Sequence, residues 1–190
     1  MRNKRFTRIL IVFVLLAVLI PSVYAYMIHK SQTVANNFIP GKVTCDIEEA
    51  FNGETKTSIK VKNTGNVDAY IRIRLVFHWE DSKGNVVARH MTPPAVTYDT
   101  GKWKKGLTDD YTYYYTGKVA PGDLTPEFLT DSITMAPVVE KVNSTDYTYY
   151  PVMEVLAEAI QADGKSGDKP AVTDAWGVTV DTNGIITAVK

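Results

Sequence analysis

The side chains that could hold a metal or act as a nucleophile are few in this chain. It has three histidines, His29, His78 and His90, and a single cysteine, Cys45. No two histidines have the His-Glu-x-x-His spacing that places two zinc ligands on one helix face. His78 and His90 can face each other across a predicted hairpin, but two imidazoles without a third ligand do not complete a zinc site. The sequence therefore predicts no catalytic residue, no metal site and no cofactor.

The single cysteine lies in a segment with strand-like alternation. Cys45 shares one predicted strand face with Val43 and Ile47. This pattern favours a buried, unreactive thiol that packs as a small apolar side chain. Pairing between two molecules is the other interpretation, because a lone cysteine has no partner within its own chain.

Tyrosine is unusually concentrated, since seven of the eleven tyrosines fall within 111–115 and 147–150. Tyrosines that are exposed on a strand can stack on sugars or pack against another subunit. The run Tyr113, Tyr114 and Tyr115 is therefore a candidate set of surface contacts. The alternative is that the two tyrosine segments pair with each other and stabilise a sheet.

Period-two alternation predicts that the chain after residue 40 is mostly β-strand. Within 69–79, alternate residues are apolar, which predicts a buried face, and those between them predict a solvent-exposed face. The turn composition of 81–85 then predicts a hairpin to a strand over 86–90. The segment 147–160 predicts a strand buried on both faces, with a helix over 153–160 as the alternative.

The remaining segments complete an all-β prediction. Residues 173–176 predict one helical turn that Thr173 caps and Gly177 ends. Asn-Gly at 183–184 predicts a hairpin between 178–181 and 185–189. With seven to nine short strands separated by turns, residues 41–190 are expected to form an antiparallel β-sandwich.

The first 25 residues have the pattern of an export signal. A basic start with four Lys and Arg residues leads into twelve apolar residues, Ile9 to Ile20. As a helix this run is about 18 Å long, which is too short to span a membrane comfortably. Small residues at 23 and 25 predict cleavage between Ala25 and Tyr26. Retention of the segment as a membrane anchor is the alternative.

Removal of a signal peptide over 1–25 leaves a mildly acidic chain. Four of the 21 basic residues and none of the 21 acidic residues lie in 1–25, so the rest carries 17 basic and 21 acidic residues, a net charge of −4. Nucleic acid and anionic lipid attract clustered Lys and Arg. We therefore expect no nucleic-acid partner, and membrane contact only through the signal peptide before cleavage.

Cleavage would also free a segment that suits strand addition. Residues 26–40 form an extended segment with an unprotected start. Such a segment can add to the sheet edge of a neighbouring copy, and head-to-tail repetition gives an open filament. Pairing of the segment within its own domain is the alternative. The apolar residues of this candidate donor strand are Met27, Ile28, Val34, Phe38 and Ile39.

Several motifs in order along the chain carry a family resemblance. They are the Ala25–Tyr26 junction, Asn-Phe-Ile-Pro-Gly-Lys-Val at 37–43, Val-Lys-Asn-Thr-Gly-Asn-Val-Asp-Ala-Tyr at 61–70, the tyrosine run leading into Val-Ala-Pro-Gly-Asp at 119–123, and Glu-Ala-Ile-Gln-Ala at 158–162. Together they resemble the TasA and camelysin family of exported proteins, which a signal peptidase of the SipW type processes. The resemblance implies a jelly-roll β-sandwich and a surface or matrix role, in some members as the subunit of a biofilm fibre.

The expected function is that of a secreted, non-enzymatic structural protein of the extracellular matrix or cell surface. Its expected partners are further copies of itself, matrix proteins and, during export, a signal peptidase. Camelysin-type members are classed as metallopeptidases, but the chain lacks a zinc-peptidase pattern, so this activity is not carried over. A secreted metallopeptidase and a carbohydrate-binding module that uses its tyrosines remain the alternatives.

Overall fold

The computed structural model describes residues 41–88, 92–107 and 111–189. The predicted signal peptide over 1–25, its cleavage site and the segment 26–40 lie outside the described residues. The described part is almost entirely antiparallel β-structure, as the alternation predicts. Its strands are β1 (Cys45–Phe51), β2 (Thr55–Asn63), β3 (Ala69–Glu80), β4 (Val86–Val87), β5 (Trp103–Lys105), β6 (Thr112–Tyr115), β7 (Ile133–Thr134), β8 (Val138–Val142), β9 (Thr145–Gln161), β10 (Lys165–Ser166), β11 (Lys169–Pro170), β12 (Val178–Val180) and β13 (Ile186–Val189), and its helix is α1 (Ala171–Trp176).

Two sheets supply the body of the domain. The smaller has the order β1-β2-β7, and the larger has the order β5-β6-β3-β9-β8, with β4 paired to the end of β3. The apolar faces of β2, β3, β6 and β9 share one buried core. At its centre Phe128 packs against Tyr98, Trp103 and Tyr113, with ring centroids 4.8–5.7 Å apart. This two-layer core confirms the sandwich-like all-β character.

The face of β3 that is predicted to be solvent-exposed is exposed at Arg74 but half-buried at Arg72 and buried at Tyr70, so the prediction is wrong for the start of the strand. Helix α1 and the β12–β13 hairpin cover that face and form a second apolar cluster around Tyr70. Tyr70 is 1% exposed, and its hydroxyl donates a hydrogen bond to the carbonyl of Gly184. Arg72 lies 4.9 Å from the ring of Trp176 and forms an ion pair with Glu158. The covering layer comes from the C-terminal residues, which the local pattern of β3 cannot reveal.

Strand β9 is less buried than the prediction of two buried faces for 147–160. It is a single strand of 17 residues, so the helical alternative is wrong. One face, which includes Met153 and Val155, packs on the main core. The other face is exposed at Glu154, Leu156 and Glu158, and Leu156 keeps half of its surface in contact with solvent. The covering layer of α1 and the β12–β13 hairpin reaches this second face of β9 only at Ile160.

The predicted turns are largely confirmed. The turn at 81–85 connects β3 to β4, and the Asp81 carboxylate accepts backbone N–H bonds from Lys83 and Asn85. The side-chain amide of Asn85 also donates to this carboxylate, and this bond together with the two backbone bonds holds the pKa of Asp81 below its usual range. The predicted strand over 86–90 is shorter, since β4 ends at Val87 and residues 89–91 lie outside the described part.

The C-terminal hairpin and helical turn also form, with one correction. Helix α1 ends at Gly177, whose φ of 66° suits glycine. It begins at Ala171 after Pro170, so Thr173 lies inside the helix and is not its cap. Proline suits this place because its fixed φ is compatible with a helix start.

The turn after β2 is fixed by a buried asparagine. Asn63 is fully buried, and its side-chain N–H groups donate to the carbonyls of Val67 and Val119. Its side-chain oxygen accepts the N–H of Gly65. A side chain at position 65 would overlap the carbonyl of Lys42, so the close approach of the chain requires glycine here. The turn therefore ties the start of the domain to the beginning of β3.

Candidate functional site

The outer edge of β9 is unpaired over much of its length among the described residues. Strand β9 pairs with β3 over 150–161, whereas β8 pairs with it only over 145–149. Even-numbered residues bond towards β3, since Ala162 donates its N–H to Asp68. Hydrogen-bonding groups in an antiparallel strand alternate between its two edges. The N–H and carbonyl groups of Met153, Val155, Ala157 and Ala159 therefore point away from β3, towards an open edge.

A second open edge lies beside the first. Among the described residues, β1 pairs only with β2, which leaves its other edge unpaired, and β1 lies close to β9. Between the two edges is a groove of about 650 Å³, here called the β1–β9 groove. Its lining is Ile47, Glu49, Phe51, Gly53, Lys56, Met135, Pro137 and residues 150–156. Most of these side chains are apolar, so the groove suits an extended apolar segment better than a small charged ligand.

Lys56 joins the two sides of this groove. Its side chain points into the space between the sheets and is only 4% exposed. The ammonium nitrogen Nζ lies 2.6 Å from Glu49 Oε2 on β1 and donates a hydrogen bond of 3.1 Å to the carbonyl of Met153 on β9. It also lies 5.6 Å from the centre of the Phe51 ring. A buried lysine needs such partners, because an unpaired buried charge is costly.

The start of the described domain lies at the far end of β9 from the groove. Gly41 contacts the side chain of Gln161, and the Lys42 N–H donates to the side chain of Asn66. The eight residues from Gln161 to Met153 extend about 26 Å in a strand. Gly41, the first described residue, therefore lies at one end of β9, and the groove lies at the other.

Several exposed apolar side chains lie on the β8–β9 hairpin, and Tyr150 of this hairpin also lines the groove. This hairpin extends past the last residue of β3, because Glu80 pairs with Tyr150 and β9 begins five residues earlier. A contiguous exposed apolar patch on a soluble domain is typical of an interaction surface. The exposed members are Val138, Val139, Val142, Tyr147 and Tyr150, with Phe51 and Leu156 nearby in the groove.

The tyrosine run does not form the predicted exposed surface. Tyr113 and Tyr114 are 2% and 7% exposed, and Tyr115 packs against Trp103. Burial raises the pKa of Tyr113 to about 12. The alternative pairing is wrong as well, because β6 pairs with β3 and β5, whereas Tyr147 and Tyr149 pair with β8. Successive tyrosines can be buried here because both faces of β6 are covered: Tyr113 belongs to the main core and Tyr114 to the second apolar cluster, while Tyr115 is partly buried.

The histidines give no assembled site in the described residues. His78 lies 3.1 Å from Glu80 Oε1 on the same face of β3. His29 and His90 lie outside the described part, so the predicted pairing of His78 with His90 stays a prediction. Across 41–88, 92–107 and 111–189, no three His, Cys, Asp or Glu side chains come close enough together to hold a metal ion.

Cys45 lies at the first position of β1. It is partly exposed and packs against the edge of the main core, so the prediction of full burial is only partly met. Burial raises the pKa of its thiol, and the nearby Asp46 acts in the same direction. A raised pKa keeps the thiol protonated and lowers its reactivity.

The groove residues were missed by the sequence analysis. Lys56 stands in a polar, alternating segment in which every second residue reads as solvent-exposed. A β-bulge between Ala50 and Phe51 shifts the register, so that Phe51 pairs with Lys56. One feature of the sequence could have indicated the open edge. Pro151 lies within a long predicted strand, and proline inside a strand is typical of an edge that pairs with no neighbouring strand.

Comparisons with known proteins leave this chain without an assigned relative: no protein-family model, curated protein or solved structure matches it. Within the described ranges, no helix has the length and apolar character needed to span a membrane.

Proposed function

We propose that this protein is a secreted structural subunit of an extracellular or cell-surface matrix, and that its copies assemble by strand addition. Residues 26–40 of one copy occupy the β1–β9 groove of the next. The jelly-roll topology and the export signal that the TasA and camelysin resemblance implies are parts of the same proposal. The observation that carries it is the pair of facing strand edges beside an apolar groove.

An added strand bonds to the open edge of β9, on the side of the groove that faces β1. The outward groups of β9 and the free edge of β1 are donors and acceptors without strand partners among the described residues. Exposed edges of this kind pair readily with another extended chain. The lining side chains then take up the apolar residues on one face of the added strand, such as Ile28, Val34 and Phe38.

The direction of the chain favours a neighbouring copy as the source of the strand. Gly41 lies near Gln161, and β1, which begins four residues later, runs towards the groove in the direction opposite to β9. A segment 26–40 that continues straight into its own β1 and enters a neighbour's groove runs antiparallel to the neighbour's β9. A segment that folds back into its own groove must reverse at Pro40–Gly41 and runs parallel to β9. Antiparallel pairing is the slightly more stable of the two.

The same geometry gives an open filament. The donor segment is attached at one end of β9, and the acceptor groove lies at the other. A contact between two different surfaces of identical subunits repeats without closing unless a rotation brings the ends together. Each added copy therefore presents a new groove for the next.

The experiment compares two purified chains by electron microscopy and sedimentation. The chain that begins at Tyr26 is expected to form filaments, and the chain that begins at Ile39 is expected to stay monomeric, because it lacks most of the donor segment. Circular dichroism of both chains tests that the domain is folded. Filaments of equal length from the two chains would contradict strand donation by this segment.

A further inference from the structure

The Met153 carbonyl has two competing uses. It is one of the outward groups of β9 that an added strand must bond, and Lys56 Nζ already donates to it at 3.1 Å. An added strand lies about 4.8 Å from β9 and places its N–H groups at hydrogen-bond distance from the same carbonyls. The Lys56 ammonium therefore lies in or next to the space that the backbone of an added strand requires.

We propose that Lys56 is a latch that holds the β1–β9 groove closed to strand addition until an incoming segment displaces it. The inference rests on the proposed function and adds its regulation. In the closed state the Lys56 latch consists of the ion pair with Glu49 and the bond to the Met153 carbonyl, which together connect β1, β2 and β9. In the open state the ammonium turns outwards with Glu49 and the carbonyl accepts an N–H of the added strand.

The surroundings of Lys56 allow this movement. Glu49 keeps 36% of its side chain exposed, so the ion pair can follow the ammonium towards solvent without burying an unpaired carboxylate. The Phe51 ring beside the ammonium is more than half exposed. Lysine carries its charge on a flexible four-carbon chain, which can reach the solvent from a buried starting point.

The test measures the critical concentration for filament formation by the chain that begins at Tyr26. Lys56→Met removes the ammonium but keeps a long apolar side chain in the groove. A hydrogen bond from a charged group opposes strand addition in the wild-type chain only, so the critical concentration of Lys56→Met is expected to be about tenfold to a hundredfold lower. Glu49→Gln, which weakens the latch from the other side, is expected to change it in the same direction by a smaller factor.

The matched control is Lys60→Met. Lys60 lies on the same strand and is half-exposed, and it forms an ion pair with Glu127 at 3.7 Å, away from the groove lining. Its replacement makes the same change in charge and is expected to leave the critical concentration within about twofold of the wild-type value. Urea unfolding of each variant establishes that it is folded, and Glu49→Gln stands in if Lys56→Met does not fold.

The outcomes separate the latch from the proposed function. Filaments from all chains with equal critical concentrations, or a higher value for Lys56→Met, would overturn the latch and leave strand addition intact. Monomers from all chains, including Lys56→Met and Glu49→Gln, would overturn both. Filaments from the latch variants alone would support the latch and strand addition together.

Discussion

Replacing Val155 with proline is expected to abolish assembly and to leave the domain folded. Val155 lines the β1–β9 groove, and its N–H points away from β3. Proline removes this N–H and puts its ring at the edge where an added strand must approach. Pro151 already occupies an equivalent outward position in the same strand. We expect the free energy of unfolding to fall by about 1–2 kcal/mol, and filaments to disappear in electron micrographs.

Leu156→Pro is the matched control for this variant. The side chain of Leu156 is exposed, so its replacement by proline mainly affects the backbone. Unlike the N–H of Val155, the N–H of Leu156 points towards Arg74 of β3. Proline at this position removes a hydrogen bond in the middle of the larger sheet, so this variant is expected to be much less stable than Val155→Pro. If Val155→Pro formed filaments as readily as the wild-type chain, pairing at the outer edge of β9 would be excluded as the assembly contact.

Replacing Phe128 with alanine is expected to cause the largest loss of stability among single core substitutions. Phe128 is 0% exposed and contacts the rings of Tyr98, Trp103 and Tyr113. Truncation removes the buried ring and leaves a cavity that the surrounding aromatic side chains cannot fill. The expected decrease in the free energy of unfolding is about 3–5 kcal/mol, measured by urea denaturation below the critical concentration for assembly.

Phe51→Ala makes the same chemical change at an exposed position. Phe51 is 53% exposed at the end of β1, so its removal is expected to cost less than about 1 kcal/mol. Similar losses for Phe51→Ala and Phe128→Ala would mean that the aromatic cluster around Phe128 is not the centre of the core.

Local alternation predicts the strands of this domain well, because the residues that face the core are set by period two. It identified β3 from its five alternate apolar residues and the last hairpin from Asn183-Gly184. It failed where burial depends on distant residues. Tyr70 and Tyr114 are covered by α1 and the β12–β13 hairpin, which are about 60 to 120 residues away along the chain.

The groove depends even more strongly on tertiary structure. The composition of 26–40 predicts a donor strand, but an acceptor requires strand edges that only the folded chain brings together. In the sequence, Lys56 is one lysine of a polar segment. In the folded chain, the bulge at Ala50 and Phe51 shifts the register and directs its side chain between the sheets. No local pattern distinguishes such a lysine from one that faces solvent.

The most direct measurement of the central claim is disulfide crosslinking between two populations of the chain that begins at Tyr26, both with Cys45→Ser. One population carries Leu156→Cys, and the other carries a cysteine in place of Ile28, Val34 or Phe38. Strand addition between copies predicts that a mixture of the two gives a crosslinked heterodimer on oxidation for at least one of the three positions. A third chain carries both cysteines. If the mixture gave no heterodimer and only this third chain crosslinked, within itself, the segment would fold into its own groove, and strand addition between copies would be contradicted.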